Sequence, residues 1–172
     1  MENNKKQNDN IMIISIQSYY ARQIFNGTKI YEFRKSPIKQ NDLNKKIYVY
    51  SAKEDKSIIG TIKVEKFLRG DLNYILQETG YINRSDKNEI IDYFGNNKNC
   101  YALKLYDIEP FLTPIKLKEL RKIDSNISFP QYYGYMKKNS QIVQYILKKE
   151  KENKIKEISS KQHNSKNEKF SI

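Results

Sequence analysis

The 172-residue sequence has one cysteine, one histidine and no tryptophan. The single cysteine, Cys100, excludes an internal disulfide and any zinc site that needs several cysteines. The single histidine, His163, lies in a polar stretch, so histidine general-base catalysis and histidine-ligated metals are not expected. We therefore expect no metal and no cofactor, and the low cysteine content favours a reducing, cytoplasmic setting.

Long apolar runs and phosphate-binding loops are also missing. No run approaches the roughly 20 apolar residues of a membrane-spanning helix, and residues 1–10 lack the apolar core of a signal peptide. Neither a GxxxxGKS/T loop nor a GxGxxG that follows a strand is present. The sequence therefore predicts no membrane partner and no phosphate-loop chemistry.

Basic residues are in excess. Lys and Arg number 32 against 20 Asp and Glu, which gives a formal net charge of +12. Clustered cations favour a polyanionic partner, although AT-rich coding alone would also produce many lysines. Residues 1–10 have no net charge, and from residue 148 onward eight Lys face four Glu. Most of the excess therefore belongs to the middle of the chain, which favours a nucleic-acid surface.

The apolar pattern predicts one folded domain between polar ends. We expect disorder at residues 1–10 and 159–172, a folded domain at 11–137 and a polar helix at 138–158. Short strand patterns alternate with short amphipathic helices in the domain. The predicted fold is α+β: five or six mostly antiparallel strands curled into a small β-barrel, with flanking helices and a Lys-rich C-terminal helix.

The run GTKIYEFR places an ammonium, a carboxylate and a guanidinium within six residues. On a strand, Glu32 and Arg34 share one face, whereas Lys29 shares the other with Tyr31 and Phe33. If the aromatic face is core, Glu32 and Arg34 project into water or a cleft. The run is then either a surface ion pair or a ligand-binding cleft in which Arg34 forks onto phosphate or a base edge.

Two further groups are candidate ligand contacts. Ser51 and Lys53 follow a predicted strand and form either a phosphate contact or a solvated turn. Tyr132 and Tyr133 offer rings for base stacking, with Gln131 as an amide for a base edge, or else they pack in the core.

The order of these elements resembles the ASCH domain, a branch of the PUA-like superfamily. The matching stretches are residues 13–25, 27–34, 47–51, 58–64, 101–105 and the PQYYGY run at 130–135. The resemblance covers residues 11–137. It implies a PUA-like β-barrel with a cleft beside the first helix, an association with RNA and modified nucleosides, and polar cleft groups at Lys29, Glu32 and Arg34.

The resemblance also implies an enzymatic activity, which belongs to one branch of the family. One branch of the family looks like an amidohydrolase that removes an acyl group from acetylated cytidine, with a lysine where Lys29 stands and a threonine in place of Glu32. The leading hypothesis is a module that binds RNA or a modified nucleotide through a Lys/Glu/Arg cleft. The alternative is an amidohydrolase acting on an acylated nucleoside such as N4-acetylcytidine, with Lys29 and Glu32 as candidate catalytic residues.

Overall fold

The computed structural model describes residues 10–168, with side chains as far as residue 161. The described chain is α+β, as predicted, and the expectations for residues 1–9 and 169–172 lie outside it. Its strands and helices are β1 (Asn10–Gln17), α1 (Ser18–Phe25), β2 (Tyr31–Arg34), β3 (Ile47–Ala52), β4 (Ser57–Gly70), α2 (Leu72–Glu78), α3 (Lys87–Phe94), β5 (Cys100–Lys116), α4 (Leu117–Leu120), β6 (Tyr133–Lys137) and α5 (Gln141–Glu168). No helix among the described residues is long and apolar enough to span a membrane.

The six strands form one sheet in the order β2-β5-β4-β3-β1-β6. The sheet has edges at β2 and β6, so it is not closed and the predicted barrel is not confirmed. β1 pairs in parallel with β3 and antiparallel with β6, while β2 pairs antiparallel with β5. The parallel pair was not predicted. It is possible because α1 and β2 lie between β1 and β3 and bring the chain back in the same direction.

The chain divides into two compact units. In its described part, the first unit consists of residues 10–18, 47–61 and 109–168. Its core joins Ile13 of β1 and Ile58 of β4 to Val143 and Ile146 of α5, all of them fully buried. The apolar run predicted as the first strand is therefore covered on both faces, which explains why it does not alternate with polar residues.

The second unit consists of residues 19–46 and 62–108. Phe33 of β2 lies at its core, with its ring edge-on to Tyr81 at 4.9 Å and to Phe94 at 6.2 Å. Asp71 caps α2, because its carboxylate accepts a hydrogen bond of 2.8 Å from the backbone N–H of Tyr74.

Helix α5 begins at Gln141 and ends at Glu168, ten residues beyond the predicted end at 158. The added turns have local side-chain support: Lys161 Nζ lies 2.6 Å from Glu157 Oε1, and the Ser159 hydroxyl donates to the Ile155 carbonyl at 3.0 Å. Such i,i+4 contacts stabilise a solvated helix without any apolar stripe, which is why the apolar pattern underestimated its length.

Asn153 fastens α5 to the end of β5. Its Oδ1 accepts from the Thr113 N–H at 2.7 Å, and its Nδ2 donates to the Thr113 carbonyl at 3.1 Å. Nδ2 also donates to the Lys149 carbonyl at 2.9 Å. The buried amide thus pairs with one peptide unit of the strand as a neighbouring strand would.

Replacing Asn153 by Ala removes these bonds at a buried position. We expect Asn153→Ala to lower the free energy of unfolding by about 2 kcal/mol, measured by urea denaturation. Lys151→Ala, at an exposed position of the same helix, is the control and is expected to stay within about 0.5 kcal/mol of the wild type. Equal stabilities of the two variants would mean that water replaces the amide at no cost.

Candidate nucleic-acid-binding site

The three charged side chains of the GTKIYEFR run meet in one buried cluster in the second unit. Lys29 Nζ lies 2.8 Å from Glu32 Oε2, and Arg34 Nε lies 3.1 Å from Glu32 Oε1. The side chains of Lys29, Glu32 and Arg34 are only 4%, 8% and 9% exposed. Two cations therefore share one carboxylate, each on its own oxygen. We call these three residues the charged cluster.

Lys29 reaches the charged cluster from a position outside the strand, which differs from the prediction. β2 begins only at Tyr31, so Lys29 precedes the strand and follows the left-handed Gly27, whose φ is +83°. Its ammonium folds back to donate to the Tyr31 carbonyl and lies 5.6 Å and 5.0 Å from the ring centroids of Tyr20 and Phe33. Strand alternation does not apply to a residue outside the strand, so the predicted placement of Lys29 on the opposite face was wrong.

Glu32 and Arg34 were predicted to project into water or a cleft; they do not project into water, and the cleft stays a prediction. Three of the four residues of β2 are buried, including both of these, so the strand is covered on both faces. A strand that reads as amphipathic in the sequence can be buried on both faces when its charged side chains are paired with one another.

The electrostatics of the charged cluster keep Glu32 ionised. Burial alone would raise the pKa of Glu32, but the charges of Lys29 and Arg34 and their hydrogen bonds outweigh burial and hold the pKa below its ordinary value. A group that carries protons during catalysis works best with a pKa near the working pH. The arrangement therefore favours binding or positioning over proton transfer, and the catalytic candidacy of Lys29 and Glu32 stays a prediction.

The sequence reading missed Arg84, which lies in the same unit. Its guanidinium stacks 4.2 Å from the ring centroid of Tyr81 and holds Asp86 through two bonds of 2.8 Å. The pKa of Asp86 is lowered, chiefly by the hydrogen bond from Arg84 and slightly by the charge of Lys29. The RxD spacing was the available signal, but such a pair is common on protein surfaces.

Ser51 belongs to a hydrogen-bonded network in the first unit. Ser51 is fully buried, and its Oγ lies 2.6 Å from Asp55 Oδ2 and 3.1 Å from Ser18 Oγ. Ser18 in turn donates to the Ala52 carbonyl and accepts from the Asp55 N–H at 3.1 Å. Ser51 therefore anchors the turn after β3, and its hydroxyl is already committed to protein partners.

The turn itself presents two lysines. Lys53 and Lys56 have φ values of +68° and +43°, in the left-handed region that side chains with a Cβ rarely adopt. Both side chains are exposed, and Lys53 Nζ lies 3.3 Å from Gln17 Oε1. The serine network thus holds two exposed ammonium groups on a turn of fixed backbone shape. We call residues 53–56 the lysine turn.

The two aromatic candidates, Tyr132 and Tyr133, differ in their exposure. The carbonyl of Tyr132 accepts from the Ser15 N–H at 2.8 Å, and the Ser15 hydroxyl donates to the Pro130 carbonyl at 2.5 Å. Tyr133 is the first residue of β6 and is partly buried, which suits the packing interpretation. The side chain of Tyr132 is 50% exposed and Gln131 is exposed beside it, so this ring and this amide can reach a ligand.

The parallel strands bring two of the predicted groups to the same end of the first unit. Ser15 holds the Tyr132 segment and pairs with Tyr50 of β3, while Gln17 pairs with Ala52 just before the lysine turn. In open sheets, ligands bind outside the carboxyl ends of parallel strands. Lys53, Gln131 and Tyr132 therefore lie at the carboxyl ends of β1 and β3, whereas Lys29, Glu32 and Arg34 form their own cluster in the second unit.

The described residues contain no group of three or more His, Cys, Asp or Glu side chains that could hold a metal ion. Cys100 is buried, and burial raises the pKa of its thiol, which makes it a poor nucleophile.

Comparison with known proteins identifies a relative and similar structures. No protein-family profile matches the chain. An ASCH domain-containing ribonuclease from Zymomonas mobilis subsp. mobilis is 30% identical over 126 residues, which are 73% of this chain and 84% of the relative. The crystal structure of ASCH from Zymomonas mobilis matches with a TM-score of 0.68 and 28% identity, over 80% of this chain and 93% of that one.

A more distant structure shares the fold alone. The N-terminal domain of McrB from Staphylothermus marinus matches with a TM-score of 0.51 and 15% identity, over 74% of this chain and 88% of that one. The molecule is therefore an α+β protein with an open six-stranded sheet and flanking helices. Within that class, the chain belongs to the ASCH domain family.

The charged cluster makes stability depend on pH. The pKa of Glu32 is lower in the folded than in the unfolded protein, so its pairing stabilises the fold above the unfolded-state pKa of about 4.3. That contribution is lost as the pH falls through the folded-state pKa. We expect Glu32→Gln to reduce the free energy of unfolding by about 3–5 kcal/mol at pH 7, and the difference from the wild type to shrink below about pH 4.

Urea unfolding of both proteins from pH 7 to pH 3 measures this difference. The control is Glu65→Gln, whose carboxylate pairs with Lys104 at 2.6 Å on the exposed surface and is expected to matter little. A difference for Glu32→Gln that stays constant down to pH 3 would contradict the electrostatic account, because only packing would then explain the loss.

Proposed function

We propose that this protein binds single-stranded RNA at the carboxyl ends of β1 and β3. The lysine turn contacts the phosphate backbone, and a base stacks on Tyr132 with Gln131 at its edge. The observation that carries the proposal is the presence, at one end of two parallel strands, of exposed lysines on a fixed turn and of an exposed aromatic ring. We propose RNA as the polyanionic ligand because the Zymomonas relative is named a ribonuclease.

The backbone shape of the lysine turn supports a phosphate contact. A left-handed conformation costs a residue with a Cβ about 1–2 kcal/mol relative to glycine. A turn that only reverses the chain is better served by glycine or asparagine. Ser18 and Ser51 hold the turn through Ala52 and Asp55, and lysine at both left-handed positions of that turn is better explained by a need for two ammonium groups there.

The exposed ring supports recognition of an unpaired base. Single-stranded RNA offers base faces that stack on aromatic side chains, whereas a duplex hides them. Such stacking contributes about 1–3 kcal/mol per base when measured by truncation to alanine. Ser15 anchors the backbone of the half-exposed Tyr132, so the ring is presented from a fixed position of the chain.

The charged cluster has a supporting part in this proposal. Lys29 and Arg34 are bound to Glu32, and the carboxylate holds Arg34 through its Nε, so a contact of Arg34 with a phosphate would be made by the Nη nitrogens. With two cations to one carboxylate, the cluster contributes positive potential, and a modified nucleotide near it stays part of the hypothesis. Amidohydrolase chemistry is less favoured, because the Lys29 amine already donates to Glu32 and to the Tyr31 carbonyl.

Replacing both lysines of the lysine turn by glycine tests RNA binding without destabilising the fold. Lys53→Gly combined with Lys56→Gly removes two ammonium groups at positions where glycine is the preferred residue. We expect the free energy of unfolding to stay the same or to rise by up to about 1 kcal/mol. The slope of log K against log salt for a labelled single-stranded RNA should become less steep by about 1.4, since each lost phosphate contact accounts for about 0.7.

Fluorescence anisotropy at several salt concentrations measures the slope. Lys116→Gln combined with Lys118→Gln removes the same charge from exposed positions of the first unit and is the matched control. If both pairs change the slope equally, the lysine turn has no special part. If the wild-type protein binds no RNA, the proposed function itself is overturned.

Cleavage of the bound RNA is a second candidate function, favoured by the name of the Zymomonas relative. In such a cleavage the ribose 2′-hydroxyl attacks the phosphorus and loses its proton, the bond to the 5′-oxygen breaks, and that oxygen takes up a proton. Ammonium groups beside the phosphate would stabilise the negative charge that develops on it. We expect a labelled single-stranded RNA to be cut by the wild type and to survive with the Lys53→Gly, Lys56→Gly protein. Intact RNA after long incubation with the wild type, at concentrations that saturate binding, would leave binding as the activity.

A further inference from the structure

Helix α5 has an exposed outer half. Its first four turns are held by buried residues, among them Ile142, Ile146 and Asn153. From Lys154 to Lys161 every side chain is exposed. Helical structure that is not needed for packing is available for contact with a partner.

One side of α5 carries a row of lysines followed by isoleucines. Lys148, Lys151, Ile155 and Ile158 follow one another at spacings of three or four residues, so they form one stripe on the side opposite the buried residues. Ile155 and Ile158 are 65% and 58% exposed, which is unusual for side chains of this size. We call these four residues the basic stripe.

The lysines of the basic stripe differ from their neighbours in the same helix. Lys149 lies 2.9 Å from Glu152, Lys154 lies 3.4 Å from Glu150 and Lys161 lies 2.6 Å from Glu157. Within the described part of the chain, Lys148 and Lys151 have no such acidic neighbour. Lys148 acts on Glu152 only through its charge, and Lys156, also outside the stripe, donates to Thr113 Oγ1 at 3.3 Å. The close ion pairs of α5 in the described part of the chain therefore involve lysines outside the stripe.

We propose that the basic stripe is a second contact surface for the RNA backbone; the inference rests on the proposed function. Charge complementarity favours RNA over a second copy of this chain as the partner of the basic stripe. A second copy docked through this stripe would bring lysine against lysine, which opposes self-association. A polyanion neutralises the same charges and releases its counterions. The two isoleucines supply apolar contact with sugars or bases, which phosphate-binding lysines alone cannot provide.

The test compares two lysine pairs of α5. Lys148→Gln with Lys151→Gln removes the charge of the basic stripe, whereas Lys149→Gln with Lys161→Gln removes equal charge from lysines that are already paired. For a labelled single-stranded RNA of about 20 nucleotides, we expect the first pair to make the salt slope less steep by about 1.4 and to weaken binding about tenfold at low salt. The second pair should change the slope by less than half as much.

Lysine acetylation followed by mass spectrometry gives an independent readout on the unmodified protein. Bound RNA should protect Lys148 and Lys151 and leave the labelling of Lys161 unchanged. Equal slopes for the two pairs, or absence of protection, would overturn the proposal. If the wild type binds RNA and only the lysine-turn variants weaken it, the inference fails while the proposed function stands; if the wild type binds none, both fail.

Two further outcomes would assign the stripe to another partner. Dimers that dissociate on Ile155→Ser with Ile158→Ser, with RNA binding unchanged, would indicate a second copy. Sedimentation with anionic lipid vesicles, lost in the same variant while RNA binding persists, would indicate a lipid surface. Either result would overturn the RNA assignment of the basic stripe.

Discussion

The register of β1 between β3 and β6 is the constraint on which the rest of the first unit depends. Ser15 of β1 is bonded to the Tyr132 segment on one side and paired with Tyr50 on the other, and Gln17 pairs with Ala52 before the lysine turn. A slip of one residue would turn the side chains of β1 to the opposite face. Both faces of β1 are buried, so the apolar pattern does not distinguish the two registers, and the bonds of Ser15 to the Pro130 and Tyr132 carbonyls set the spacing of the candidate site.

The charged cluster raises a different question, since burying charge rarely gives net stability. Replacing a buried ion group by apolar residues of equal volume is often neutral or stabilising, although removing one partner is costly. The stability of the second unit therefore does not explain why Lys29, Glu32 and Arg34 are charged. Within the cluster two cations meet one carboxylate, and Asp86 lies close enough for the charge of Lys29 to lower its pKa, so the charges of the second unit balance one another across more than these three residues.

The sequence predicted local features well and long-range ones poorly. The α+β class and the ASCH resemblance follow from patterns of neighbouring residues, and the structure and the comparisons confirm them. The parallel pairing of β1 with β3 depends on which strands meet, which alternation patterns do not encode. Lys29 was misplaced because the start of β2 is set by its pairing with β5, and Tyr31 is the first residue to pair.

The contrast between exposed and buried cations has a consequence for how such a protein would discriminate between ligands. Exposed lysines on the lysine turn and on the basic stripe lose most of their attraction for phosphate as ionic strength rises, because mobile ions screen them. A half-exposed ring and an amide depend on stacking and hydrogen bonding, which salt affects much less. Raising the salt therefore weakens the contacts that are common to all RNA and spares those that read the base. For two sequences that make the same phosphate contacts, raising the salt should therefore lower both affinities by a similar factor and leave their ratio nearly unchanged.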